Sequence, residues 1–519
     1  MVCLSELLSF GRRKALCNKN NFFSQKLSVI TRRPAIILLT WIVLLSGFSC
    51  KGINEQVSDQ KLNPTRSFLN SLDREKMGTL VFTFSSLAFT IDAPWGKGVP
   101  SQGMALLASI AHKHGIPVTW LMDAGSGKKM QKQINEWHEK YGDDVGCVWG
   151  HSHATPSAFR DGAQDRLALR KLFPWSDVTF AASGSRSNQL LAKVKKAGLN
   201  GLWGSCWEQE GIDRITDRGA PWGFFYCADE CFKIPSRVPG GVISVEWTAR
   251  DLCKSIHSHA PTIYSSDPDD VGRTGLCTGD DIAYWKGMFD NYIKNIANNK
   301  YVFFPQQQES HEMENSDVCR AFSVQEIESS AKMLDAFFAY VKSFGNKVKC
   351  VTIPEAMQMY AQQSDTTMPS VMLVDDVPCR KPPFWYAKGK ATGPWPKTLL
   401  YYDKDCQLVF IDGQLAPILL RDYVHNRRVD DPNYYQVCKI PQIKVDTPWE
   451  RKVFTKIPLQ IPYDGELPYA VALWYDFKHF RLDRVEGAQT IGPIQEQVLL
   501  LRKNLTPGEN KILVKLVPR

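Results

Sequence analysis

The chain carries a series of residues suited to acid–base and metal chemistry, and their spacing follows the pattern of predicted strands. Asp92 ends the first predicted strand, His151 and His153 end the third, and Arg186 follows the fourth. Glu208 follows the fifth, Glu246 lies near the end of the sixth with Asp251 just beyond, and His311 follows the seventh. Two histidines separated by one residue on an extended segment project to the same face, so a single ion could take both imidazoles. Such a pair suits zinc, and also iron, cobalt or nickel, with Asp92 as a carboxylate third ligand. Asp92, Arg186, Glu208, Glu246, Asp251 and His311 are the candidates for moving protons or steadying charge, and Asp92, His151 and His153 for holding the divalent metal.

These positions gain meaning from the elements that must hold them. From about residue 78 to 363, apolar, β-rich runs alternate with segments of helical period. The strand-like runs are 80–91, 116–122, 145–149, 178–182, 201–204, 241–247, 301–305 and 348–353. The helical ones are 104–114, 128–140, 165–173, 188–197, 282–297 and 324–341. Alternation at these lengths predicts a parallel sheet, here a deformed (β/α)7-8 barrel, whose active site is built from the carboxyl ends of its strands. Two long excursions, 208–240 and 255–280, interrupt the pattern, and loops of that length in a compact domain are usually functional. The first carries Trp222, Phe224, Phe225 and Tyr226, which could stack on sugar rings or pack the loop onto the barrel. Trp95, Trp207, Trp222 and Trp247 are the candidate substrate-binding aromatics.

After residue 363 the register changes to short β-like runs punctuated by Gly and Pro, such as 398–402, 407–411, 470–475, 497–501 and 511–516. The expected organisation is a signal segment at 1–50, a spacer at 51–78, the α/β barrel at 79–363, a linker at 364–395 and a C-terminal β-sandwich-like domain at 396–519.

The formal net charge of +9 does not mark a nucleic-acid partner. Residues 1–50 hold seven Lys and Arg against one acid, leaving 56 basic and 53 acidic residues in the remainder. Those fifty residues read as a targeting segment: a basic stretch ends at Arg32-Arg33, and residues 35–48 are uncharged. Fourteen residues is short for a spanning helix and right for a signal core. The run Leu45-Ser46-Gly47-Phe48-Ser49-Cys50 resembles a bacterial lipoprotein signal in which Cys50 is lipidated. The body is then expected in the cell envelope, periplasmic or surface-exposed, tethered to the membrane by its N-terminal lipid. Fourteen cysteines fit an oxidising compartment. The grouping of Cys206, Cys227, Cys231 and Cys253 has zinc-like spacing, although disulfides or buried thiols are the commoner outcome.

Four motifs taken in order resemble the polysaccharide deacetylase (NodB-homology) superfamily. They are Thr90-Ile91-Asp92-Ala93-Pro94, His114-Gly115-Ile116-Pro117-Val118-Thr119-Trp120, Asp144-Val145-Gly146 and His151-Ser152-His153, within a resemblance covering about 79–360. It implies a deformed β/α barrel with a divalent ion on Asp and two His, hydrolysing N-acetyl groups on glycans. The metal would polarise the acetyl carbonyl and activate water while a carboxylate takes the proton. It further implies that Arg186 orients a catalytic carboxylate and that His311 protonates the leaving amine. Two features depart from the family pattern. Ala93 stands where a second aspartate is usual, and the histidines are two apart rather than four. Asp92 would then serve as ligand and leave the base to Glu208, Glu246 or Asp251, or the metal site is lost. Three functions follow: a metal-dependent glycan deacetylase, a glycoside hydrolase using Glu208 with Glu246 or Asp251, or a non-catalytic glycan-binding lipoprotein.

Overall fold

Strand β1 (Thr79–Leu87) is the organising element, a nine-residue run buried along almost its whole length. Its β-branched and aromatic residues suit a pleated surface packed on both faces. The computed structural model describes residues 78–519 except 92–95, 150–161, 184–187, 204–223, 230–234, 237, 258–263, 364–369, 381–393, 396, 404–407, 412–415, 420–441, 447–466, 475–478, 495–497 and 506–510. The signal segment, the spacer and Cys50 therefore lie outside the described residues, as do Cys206 and Cys231. No helix among the described residues is long and apolar enough to cross a membrane.

Around β1 stand β2 (Val118–Met122), β3 (Asp144–Trp149), β4 (Phe180–Ser183), β5 (Gly201–Trp203), β6 (Phe224–Tyr226), β7 (Ile243–Val245) and β8 (Tyr301–Gln307). Their order in the sheet is β6-β7-β5-β4-β3-β2-β1-β8. All neighbours are parallel except the β6–β7 pair. A ninth strand, β9 (Val348–Val351), pairs with residues 80–83 of β1, and β2 pairs with 84–87. Because β8 takes the other edge over 79–85, β9 and β2 share one side of β1 in succession.

The intervening helices are α1 (Ser101–Lys113), α2 (Ala124–Tyr141), α3 (Gly162–Leu172), α4 (Asn188–Lys196), α5 (Leu252–His257), α6 (Pro268–Arg273), α7 (Ala283–Lys294), α8 (Val324–Lys342) and α9 (Ile353–Ala361). Local sequence explains several of their ends. Asp123 caps α2 by accepting from the Ser126 N–H, and Gly142, at φ 79°, terminates it in the left-handed region. Ser323 and Glu326 form a reciprocal capping box on α8.

The strand faces divide the core. Phe82 and Phe84 meet Phe338 of α8, with ring centroids 5.9 and 5.0 Å apart. On the opposite face Val81, Leu121, Val148, Phe180, Ile243 and Phe303 join Ile353, Ala356, Met357 and Tyr360 of α9. The sheet is a curled, mostly parallel half-barrel, a more open form of the deformed barrel expected from the sequence. α9 belongs to the apolar cluster on the sheet's inner face, and the strand order ends at β6 and β8. The segment after β7 is joined to β8 without strand pairing, by the Ala249 N–H donating to the Pro305 carbonyl at 2.7 Å and by side-chain bonds from Gln306 and Gln307.

Of the two roles open to the aromatic excursion, Phe224, Phe225 and Tyr226 take the packing one. Phe224, Phe225 and Tyr226 form β6, and all three are buried. Phe224 stacks on Phe303 at 4.1 Å. A three-residue antiparallel strand buries these rings in the core, which removes them from a sugar-stacking role.

Beyond α9, β10 (Ser370–Val374) falls in the stretch read as a linker, yet it is closely bound. Asn291 on α7, Asn295 at the start of the 3-10 turn that follows and Asn299 just beyond it each bond the backbone of one residue of the β10 segment in both directions. Asn295 donates to the Leu373 carbonyl at 3.0 Å and accepts from its N–H at 2.8 Å. Asn291 does the same with Asp375, and Asn299 with Val371. The four-residue spacing of the asparagines thus meets the two-residue spacing of Val371, Leu373 and Asp375 along the extended strand, three amides to three alternate residues. β10 in turn begins a four-stranded antiparallel sheet with β11 (Thr398–Asp403), β12 (Leu408–Ile411) and β13 (Ala416–Leu419).

The remaining strands form two three-stranded sheets. One joins β14 (Gln442–Asp446), β19 (Lys511–Pro518) and β16 (Phe480–Glu486), and the other β15 (Leu467–Trp474), β18 (Val498–Leu505) and β17 (Gln489–Ile494). Buried residues alternate along β19 at Ile512, Val514 and Leu516.

Of the described thiols, Cys147, Cys227, Cys253, Cys277 and Cys319 are buried and Cys350 and Cys379 half-buried. Burial pushes Cys147 and Cys277 up to about 12 and Cys350 and Cys379 to about 11.

Asn295→Ala leaves the Leu373 N–H and carbonyl without their side-chain partner in a buried position. Unsatisfied buried groups cost about 1–3 kcal/mol each, so the variant is expected to lose roughly 3 kcal/mol in urea denaturation. An unchanged midpoint would show that the ladder contributes nothing.

Candidate functional site

Among the described residues, buried polar side chains gather where β7 and β8 end. The chain leaving β7 passes Glu246, Trp247 and Thr248 and pairs briefly with its own return. The Asp251 N–H donates to the Tyr264 carbonyl and the Ser266 N–H to the Ala249 carbonyl. This return delivers Asp267 as the cap of α6, where its carboxylate accepts from the Asp269 N–H at 3.1 Å. The run Ser265-Ser266-Asp267-Pro268 favours such a start, with an acceptor at the cap and proline at the first helical position.

β8 ends in Gln306, Gln307 and Gln308, all fully or almost fully buried. Gln306 donates to the Ser266 carbonyl at 2.6 Å, Gln307 to the Asp267 carboxylate, and Gln308 to Glu312 Oε2 at 2.8 Å. Glu309 follows, then the 3-10 turn Ser310–Met313 that carries His311 and Glu312. His311 Nδ1 lies 3.2 Å from Glu309 Oε2. The ligand atoms of Glu309, His311 and Glu312 lie within 4.8 Å of one another, and so do those of Asp267, Asp269 and Glu312.

Helix α1 holds the turn in place. Glu314 Oε2 accepts from the Gln102 and Gly103 N–H groups at 2.9 and 3.1 Å, supplying the cap that Pro100 cannot. At Gly103 a Cβ would stand 1.9 Å from the Ser310 carbonyl oxygen, so glycine is required for this approach. Ser86 Oγ, at the end of β1, meets Ser310 Oγ at 2.7 Å.

Electrostatics make this group unusual. Asp267, Asp269, Asp270, Glu309 and Glu312 gather here, with Arg273 paired to Asp269 at 2.5 Å and to Asp270 at 3.1 Å. Burial, followed by the charges of Asp269 and Asp270, holds Asp267 well above the usual carboxylate range. Glu312 is raised in the same way by burial and by Asp269 and Glu309, with Arg273 opposing. Buried carboxylates in this state take up either protons or a cation.

Of the residues singled out from the sequence, His311 lies within this group. Asp251 is committed elsewhere: Tyr284 donates to it at 2.9 Å, and Lys254 lies 3.4 Å away while bonding Asp376 at 2.6 Å. Burial raises the Asp251 carboxyl despite that lysine. The arrangement ties α5 to the chain beyond β10. Glu246 is buried just past β7. Trp247 is buried too, with the Arg250 guanidinium 4.9 Å over its ring. Asp92, Trp95, His151, His153, Arg186, Trp207, Glu208 and Trp222 lie outside the described residues. The strands before several of them are described. Asp123 also fixes the approach to Asp92, accepting from the Thr90 N–H at 2.9 Å and from its hydroxyl at 3.0 Å.

Sequence reasoning missed Asp267, Asp269, Glu309 and Glu312 as site residues. The available signals were the capping pattern at 265–268 and the acids flanking His311.

No protein-family model matches the chain, and no curated protein matches it. Among solved structures, a putative polysaccharide deacetylase from Mycobacterium smegmatis is similar at 11% identity, over 57% of this chain and 95% of that one, with a TM-score of 0.34. A probable polysaccharide deacetylase from Pseudomonas aeruginosa PAO1 is similar at 8% identity, over 55% and 91%, with a TM-score of 0.35. A 4-alpha-glucanotransferase from Thermococcus litoralis is similar at 10% identity, over 54% and 40%, with a TM-score of 0.34. Likeness at this level leaves the activity to be read from the residues themselves.

The raised carboxyls have a stability consequence in metal-free protein. A folded-state value above the unfolded one (about 3.9 for Asp) means that the folded state binds more protons above that pH. Stability therefore falls as pH rises from about 4 toward the folded value, by up to about 1.4 kcal/mol per pH unit for one group. Asp267→Asn is expected to flatten this dependence and raise the melting temperature at pH 7 in chelator. Parallel pH profiles for the two proteins would contradict the account.

Proposed function

We propose that the chain is a hydrolase acting on carbohydrate, removing N- or O-acetyl groups from a glycan at the carboxyl ends of its parallel strands. The observation that carries this reading is the His311–Glu309 pair at the end of β8, 3.2 Å apart on the strand-end rim. A histidine beside a carboxylate is competent to take and return a proton near neutral pH. In deacetylation that proton goes to the leaving amine or alcohol, the role that the sequence resemblance implies for His311. Glu309 steadies the imidazolium while it is charged.

The motifs around Asp92, His151 and His153 support the same reading. They would hold a divalent metal, zinc first, with nickel, cobalt or iron as alternatives, and such an ion polarises a carbonyl and lowers the pKa of bound water. Arg186, Glu208 and Glu246 remain candidates for orienting or accepting charge, and Trp95, Trp207 and Trp222 for stacking on sugar. Anchoring through lipid on Cys50 would place the enzyme in the bacterial cell envelope, periplasmic or surface-exposed. The C-terminal strands would form a sandwich-like appendage that braces the catalytic unit or binds glycan.

The test is to incubate the purified protein with N- and O-acetylated glycans and to measure both acetate and new reducing ends. Acetate without reducing ends is expected, with kcat/KM falling roughly 10²–10⁴-fold in His311→Ala. Reducing ends without acetate would replace this reading with a glycoside hydrolase. Retention of glycan with neither product would replace it with a non-catalytic binding protein.

A further inference from the structure

The acids around α6 do not need the deacetylase reading to be explained, and they point to a site of their own. Asp267, Asp269 and Glu312 bring three carboxyl groups from two separate segments within 4.8 Å of one another. Asp267 and Asp269 are buried, and among the described residues the trio's ion pair is the one between Arg273 and Asp269. Asp270 and Glu309 add further negative charge beside it, as their effects on Asp267 and Glu312 show.

A second observation comes from the neutral side chains around the acids. Gln307 and Gln308 are 1% and 0% exposed, and each points its amide nitrogen at an acid, Asp267 and Glu312 respectively. The carbonyl oxygens of both amides have no hydrogen-bond partner. Ser85 stands opposite Gln307 in the β1–β8 register, and its buried hydroxyl also lacks a partner. Each buried amide thus satisfies its nitrogen on an acid and leaves its oxygen unsatisfied, which costs stability. Half a turn of the amide exchanges the two ends, and the oxygen then becomes a ligand.

We propose that Asp267, Asp269 and Glu312, with the carbonyl oxygens of Gln307 and Gln308, form a site for a hard divalent cation. The donors are all oxygen, the set that suits calcium, magnesium or manganese rather than a thiophilic ion. The cation would lock the start of α6 to the turn carrying His311, joining the ends of β7 and β8. This site is separate from any ion on Asp92, His151 and His153, and it stands or falls independently of the activity.

The experiment uses the full chain carrying His151→Ala and His153→Ala, which removes the other expected site, after stripping with chelator. Calcium, magnesium and manganese are each titrated calorimetrically, and melting temperature is followed with and without each ion. About one equivalent of at least one ion is expected to bind and raise the melting temperature. Adding Asp267→Asn or Glu312→Gln should weaken binding at least about tenfold and abolish the rise. Absence of binding in the parent, or unchanged binding in both acid variants, would overturn the proposal. If the acid variants fail to fold, anomalous scattering from manganese-soaked crystals decides. A peak among these oxygens supports the site, and its absence there overturns it.

Discussion

Mutual repulsion among buried carboxyl groups at the ends of β7 and β8 is the constraint around which this rim is built. Two unit charges 4 Å apart repel by about 4 kcal/mol at the effective dielectric of a protein site. Ligand atoms of Asp267, Asp269 and Glu312 lie within 4.8 Å of one another, with Asp267 and Asp269 buried, so ionising all three together carries a cost of this order. A fold gains nothing in stability from such an arrangement. The rest of the local structure opposes it: Arg273 pairs with Asp269 and Asp270, and Gln307 and Gln308 aim amide nitrogens at the acids. A grouping that costs stability and is held in place by surrounding contacts is what a functional site looks like energetically.

The scaffold supplies the holding force through a few specific contacts. β1 is paired along both edges by three parallel neighbours, which makes its register with β8 hard to shift. Ser86 therefore reaches Ser310, and the turn bearing His311 starts at a defined height. Glu314 closes the N-terminus of α1, and Gly103 lets that helix touch the turn backbone. On the other side the asparagine ladder fastens β10 to α7 and the turn after it, and Lys254 bridges Asp251 of the post-β7 segment to Asp376. The segment read as a linker is therefore bonded to the body of the molecule on two sides.

Much of this arrangement can be read from the amino-acid order. Apolar runs such as 145–149 and 301–305 became β3 and β8 within two residues, because fully buried parallel strands are nearly continuous in hydrophobicity. His311 was found because it follows a strand end. Asp267 and Asp269 were not, because they sit in an excursion where no period distinguishes a site acid from a surface acid; only tertiary contact with Gln307 and Glu312 does so. β6 escaped notice because three residues carry no detectable period. The ladder was legible in principle, since Asn291, Asn295 and Asn299 repeat every four residues, but its partner strand was needed to give that repeat a meaning. α9 illustrates the opposite case, a helix whose apolar residues mark it as buried but whose place within the curl depends on the whole sheet.

The central claim is that carbohydrate is processed beside His311. A crystal structure of the protein with an N-acetylglucosamine oligomer tests it most directly. The account predicts a sugar at the β7–β8 rim, with an acetamido group within hydrogen-bonding reach of the His311 imidazole (about 2.6–3.2 Å). An oligomer bound only elsewhere on the chain, with His311 facing no part of it, would contradict the account.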